Sequence, residues 1–172
     1  MRRQATSIAL LTLALGACSD GLEGPDVLGV WRVTAHTDNT AGCSAGPAVT
    51  DPPFIQFTKE KFFGVEYLTY GPCSDATTCE PDGFGHIFAT PITDGYASES
   101  YSAFRGSGPD CALGAALSQL VVSGGTMAIK NRSYGMTEAL TADQCTSDAA
   151  KQRYQAGTLP CLSFESLTTV RN

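Results

Sequence analysis

Eight short runs of strand-like sequence, most of them ended by a turn signal, leave this chain few folds to choose from. The first, residues 28–36, alternates. Trp31, Val33 and Ala35 fall on one face and Arg32, Thr34 and His36 on the other, the period of a half-buried strand. Residues 54–58 and 62–70 follow as a hairpin whose tip is the charged Lys59-Glu60-Lys61. Residues 84–90 and 96–104 flank Thr93-Asp94-Gly95, and residues 115–122 and 126–134 flank Ser123-Gly124-Gly125. Asp-Gly is among the strongest short hairpin signals. The segments 37–53 and 71–83 gather Gly and Pro and are read as long loops.

The period then changes. Thr141-Ala142-Asp143-Gln144 matches a capping box, in which the Thr141 hydroxyl serves the N3 amide and Gln144 reaches back. The segment from Cys145 to Tyr154 continues as a short helix with a narrow apolar face, Gly157 is its C′ residue, and Pro160 stops it. A helix with so little to bury is expected on the outside of the sheet, pinned by Cys145. Residues 161–171 make an eighth strand able to pair with the first, and a sheet that closes has no exposed edges. The expected fold is therefore all-β and mainly antiparallel: an up-and-down barrel of about eight strands, with one helix before the last strand, in a single domain over residues 28–172.

Setting Cys18 aside, six cysteines remain: Cys43, Cys73, Cys79, Cys111, Cys145 and Cys161. An even set in a small exported domain reads as three disulfides. There is no C-x-x-C, and His36 and His86 do not flank cysteines at finger-like spacing, so no metal site is expected. Many connectivities are open. Proximity along the chain suggests Cys73 with Cys79, Cys145 with Cys161, and Cys43 with Cys111.

The N-terminus states an address. Met1-Arg2-Arg3 is a cationic head, and residues 7–15 are apolar apart from Ser7 and Thr12, too short a run to span a bilayer. Leu15-Gly16-Ala17-Cys18 closes that run and resembles a bacterial lipobox. The resemblance implies that residues 1–17 are a signal peptide, removed before Cys18. Cys18 would then carry a diacylglyceryl thioether, and its amine an acyl chain such as palmitate. Residues 18–27 are rich in turn-formers and read as a flexible tether between this anchor and the domain. Ser19 after the cysteine is similar to outer-membrane rather than inner-membrane sorting. Cleavage removes Arg2 and Arg3 and no acid, moving the formal charge from −6 to −8. A chain of that sign is a poor binder of phosphate backbones, so nucleic acid is not an expected partner. The expected partner is a membrane, reached through the N-terminal lipid.

Gly29-Val30-Trp31 on the first strand, the long loop after it, the antiparallel strands and Arg171 at the end of the last strand resemble the lipocalin or calycin pattern. In that pattern the strand-one Trp packs across the closed end beneath an Arg from the last strand, which here implies Trp31 and Arg171. The resemblance also implies carriage of a small apolar or amphipathic ligand in the mouth, with Trp31, Phe57, Tyr67, Phe88 and Tyr101 as candidate lining residues. Ser98, Ser100 and Ser102 share one face with Tyr96 and Phe104, either solvated or lining a polar lumen. The alternative is an envelope interaction or inhibitor module without a ligand. It would use loops 37–53 and 71–83, whose Asp51, Asp75, Glu80 and Asp82 suit a basic partner.

An enzyme is not expected, and no cofactor is implied. No G-x-S-x-G elbow is present, and only His36 and His86 offer an imidazole. Glu66, Glu99 and Glu165 lie mid-strand, where alternation alone does not say which of them face inward.

Overall fold

Antiparallel strands joined by tight turns become a barrel only if the two ends of the meander find each other, and here they do. The computed structural model describes residues 22–62, 64–80 and 86–172; the segment read as a signal peptide, and Cys18, lie outside the described residues. The elements are β1 (Gly29–Asn39), β2 (Phe54–Phe62), β3 (Val65–Cys73), β4 (His86–Phe88), β5 (Thr90–Ile92), β6 (Gly95–Arg105), β7 (Asp110–Ser123), β8 (Thr126–Ala139), α1 (Ser147–Gln155) and β9 (Cys161–Arg171). The nine strands form one sheet in the order β4-β3-β2-β1-β9-β8-β7-β6-β5, a nearly closed barrel. The first strand pairs with the last, Trp31 opposite Arg171 and Asn39 opposite Phe164. The two edges of the sheet, β4 and β5, are separated in sequence only by Ala89, so one bent run of chain serves both sides of the seam. That bend accounts for nine strands where the sequence suggests eight.

Alternation turns one face of β1, β2, β3, β4, β6, β7, β8 and β9 into a common interior. Trp31, Ile55, Phe57, Leu68, Tyr70, Phe88, Tyr96, Leu120, Met127, Ile129 and Leu167 are buried together there. Phe57, Tyr70 and Phe88 meet ring to ring at 5.2–6.5 Å between centroids. These side chains occupy the half of the barrel that holds the chain termini and the short turns. Arg171 lies over the Trp31 ring, 5.3 Å from its centroid, and the Trp31 indole N–H donates to the Val27 carbonyl. Residues 22–27, read from sequence as part of a flexible tether, are docked on this end. Leu22 and Val27 are buried, and the Tyr96 hydroxyl donates to the Pro25 carbonyl. The apolar side chains of this segment complete the core where the strands stop.

The outer face of β6, β7 and β8 carries a second, smaller cluster. Cys111, Leu113 and Ala115 meet Ala150 of α1 and Leu159, with Tyr101, Tyr134 and Tyr154 around them. The helix lies outside the sheet as its sequence suggests, but it begins later than the capping box implies. Thr146 is the N-cap, its hydroxyl accepting from the Ala149 amide. Gln144 does reach back to the Thr141 amide, closing a turn rather than opening the helix. Gly157, at φ +69, ends the helix in the left-handed region, and the Thr158 amide returns to the Arg153 carbonyl.

Three disulfides are present: Cys43–Cys161, Cys73–Cys79 and Cys111–Cys145. The pairings of Cys145 with Cys161 and of Cys43 with Cys111 are corrected. Because β1 lies beside β9, the loop leaving β1 arrives where β9 starts, and Cys43 meets Cys161 there. Cys145 instead lies over β7, beside Cys111. The β2–β3 hairpin also turns later than its charges suggest. Phe62 pairs with Val65, so Lys59, Glu60 and Lys61 are strand residues and the chain turns only after Phe62. No helix among the described residues is long and apolar enough to cross a membrane.

Candidate binding site at the mouth of the barrel

A bulge in β1 decides what faces the lumen. Register with β9 slips between Val33 and Ala35, and this reverses the inward and outward positions beyond it. His36, assigned by alternation to the face opposite Trp31, is thereby opposite Leu167 of the buried core. Asp38 follows it, opposite Glu165. The His36 ring bridges two acceptors: Nδ1 lies 2.6 Å from the Asp51 carbonyl and Nε2 lies 2.9 Å from Glu165 Oε1. The ring thus ties the backbone of loop 37–53 to the carboxylate on β9.

Glu165 continues the network inward. Asn131, 8% exposed, donates from Nδ2 to Glu165 Oε2 at 2.7 Å and to the Tyr70 hydroxyl at 2.9 Å. Tyr70 is on β3 and Asn131 on β8, strands that are not neighbours in the sheet. The bond therefore crosses the lumen. Turning the Asn131 amide over would set its oxygen against a carboxylate, so the orientation is fixed, and Asn131 Oδ1 is left buried without a partner. A buried unsatisfied acceptor costs about 1–3 kcal/mol. The bridge of His36, Glu165, Asn131 and Tyr70 forms the upper limit of the apolar core. His36 shows 9% of its side chain and Glu165 shows 26%, so the carboxylate is the member most open from above.

Above the bridge the same inner face changes character. Ser98 stands opposite Ser118, Ser100 opposite Ala116, Ser102 opposite Gly114 and Phe104 opposite Ala112. Ser133 and Ser163 touch through their hydroxyls. Ser100, Ser102, Ala112 and Ala116 are exposed, and so is Phe104 at 72%. Small residues open this half where large ones fill the other. At Gly135 the wall is already full, since a Cβ there would sit 2.8 Å from Leu162 Cδ1.

The rim is held by covalent and polar staples. Loop 37–53 is tied to β9 by Cys43–Cys161, and it runs beside β1 through the Val49 amide to the His36 carbonyl. In the loop after β3, Asp75 accepts from the Thr77 amide and hydroxyl and from the Thr78 amide at 2.8–2.9 Å. These donors, the Thr77 amide first, hold its carboxyl at about 2. Asp51, Asp75 and Glu80 are exposed on these loops; Asp82 lies outside the described residues.

The residues proposed to line the mouth do not gather there. Trp31, Phe57 and Phe88 are buried at 2% exposure or less and fill the lower barrel. Tyr67 lies on the outer face, between the inward Glu66 and Leu68 positions, and Tyr101 lies on the outer face against Tyr154 of α1, where burial raises its hydroxyl pKa. Alternation gives parity along a strand but not which face is inside. Of the carboxylates, Glu66 binds the Leu22 amide at the closed end, Glu99 accepts from the Tyr101 hydroxyl outside, and Glu165 alone of the three joins the lumen bridge. His86 is in β4 opposite Tyr70. His36, Asn131, Glu165 and Tyr70 had no common signal in the sequence, because the bulge that aligns them breaks the period by which they would be found.

A further groove, of about 490 Å³, runs between α1 and the end of β8 on the outside of the sheet, where Arg153 makes a two-pronged pair with Glu138. Among the described residues no group of three or more His, Cys, Asp or Glu side chains is placed to hold a metal ion. Comparison of the chain with protein-family models, with curated proteins and with solved structures returned no match.

Proposed function

We propose that the chain is a lipid-anchored envelope protein of lipocalin type, tethered through Cys18 and more suited to the outer than the inner membrane. In this reading it binds a small amphipathic ligand in the serine-lined mouth, above the His36–Glu165–Asn131–Tyr70 bridge. The observation that supports this is the division of the interior: a lower half filled by aromatics, and an upper half of Ser98, Ser100, Ser102 and Ala116 ending on a partly exposed carboxylate. A wholly apolar ligand finds there only Phe104, Leu162 and the small Ala112 and Ala116 among polar residues. One with a hydrogen-bonding end finds Glu165 at the floor and hydroxyls on the walls. The experiment is native mass spectrometry of the Cys18→Ser protein, exported to an oxidising periplasm and purified without detergent. The expected result is a discrete adduct, lost on denaturation and absent from a folded Ser100→Trp variant that fills the mouth. A bare mass, together with no uptake of added amphiphiles, would overturn the reading.

A second reading has its own support. Cys43–Cys161 and Cys73–Cys79 fix the two long loops at one end of the barrel, and Asp51, Asp75 and Glu80 are exposed on them. Such a rim suits a basic envelope protein as partner. Cross-linking from loop 37–53 to one defined protein, with the mouth empty, would favour it.

A further inference from the structure

The chain enters the domain at a specific place on the closed end. The Leu22 amide donates to Glu66 and the Leu22 carbonyl accepts from Lys59 Nζ, so Leu22 sits against the turn end of the β2–β3 hairpin. Cys18 precedes Leu22 by four residues, and four residues span at most ~14 Å when fully extended. An eleven-residue strand such as β9 is roughly 36 Å long. An anchor at Cys18 therefore keeps the closed end near the bilayer, and the mouth lies a strand's length away. Two of the exposed large apolar side chains are on this end: Val65 beside the hairpin turn, 50% exposed, and Leu28 at the start of β1, 41% exposed. Lys61 is exposed on the same hairpin. Two other cations here are matched, Lys59 with Glu66 and Arg171 with Asp26.

We propose that this closed end, with the β2–β3 hairpin foremost, rests on the surface of the bilayer that holds the anchor, so that the mouth opens away from the membrane. The inference rests on Cys18 carrying the lipid. Contact is through Val65 and Leu28 at headgroup depth, with Lys61 reaching toward the phosphates. With Lys59 and Arg171 paired within the protein, the short tether and the apolar side chains hold the orientation, and salt alters it little.

The test uses the full-length lipidated protein in vesicles of phosphatidylethanolamine and phosphatidylglycerol. A single spin label is placed, after oxidative folding, on Val65→Cys or on Ser107→Cys in the turn between β6 and β7. The label at 65 is expected to be several-fold less accessible to a water-soluble nickel chelate than the label at 107. In the Cys18→Ser protein without vesicles the two labels are expected to be equally open, which assigns the difference to the bilayer. Equal access in vesicles, or greater protection at 107, overturns the proposed orientation. If Cys18→Ser instead fractionates with membranes as the unaltered protein does, the lipid anchor itself fails and takes the orientation with it.

Discussion

The two halves of this barrel are stabilised by different means. The closed half is a packed interior in which Phe57, Phe88, Leu120 and Ile129 are almost wholly buried. The mouth half carries serine, alanine and glycine inside, and all three disulfides are at that end. Its apolar contacts have moved to the outer face, under α1. Burial holds one end, and cross-links with an external helix hold the other.

The largest expected effect tests the closed half. Phe57→Ala should destabilise the domain by about 3–5 kcal/mol, read by urea unfolding, whereas Ser100→Ala in the mouth should change stability by less than about 0.5 kcal/mol. Comparable losses would erase the distinction. Next, replacing Cys43 and Cys161 together by Ala should cost about 2–4 kcal/mol and raise amide exchange first around loop 37–53. Uniform loosening of the closed half would show the two ends to be one unit. Removing Cys73–Cys79, which closes a far shorter loop, should cost less.

A smaller effect tests the closure. Arg171→Ala removes the cation over Trp31 and the pairing with Asp26, and should cost about 0.5–2 kcal/mol, visible as a melting temperature lower by a few degrees. The smallest concerns the rim. The Asp75 carboxyl is held at about 2, below its ordinary 3.8. Its contribution is therefore complete above the ordinary value and is lost as pH falls through about 2. NMR titration of Asp75 should give a midpoint near 2, and a midpoint at the ordinary value would mean that the loop does not hold its turn in solution.

Much of this architecture was legible in the residues. Alternation and the Asp94-Gly95 and Gly124-Gly125 turns define the hairpins, and the pairing of the first and last strands follows from a meander that must close. That pairing also implies a bridge between Cys43 and Cys161, yet distance along the chain suggests other partners, because it ignores which loops the closed sheet brings together. Tyr67 and Tyr101 show the limit of parity: each is correctly in a strand, and each points away from the lumen. His36 shows a second limit, since one extra residue near Thr34 exchanges inward for outward with no mark in composition.

The pairing of β1 with β9 also sets an order in time. Residues of β1 are synthesised first, but Trp31 has no Arg171, and Cys43 no Cys161, until the eleven-residue β9 has emerged. Contacts so far apart in the chain are slow to form, and until then β1, which carries Trp31, has an open edge. The domain is thus committed to finishing its fold only after β9 has been made. Truncating a few C-terminal residues would leave an unclosed sheet rather than a slightly shorter barrel.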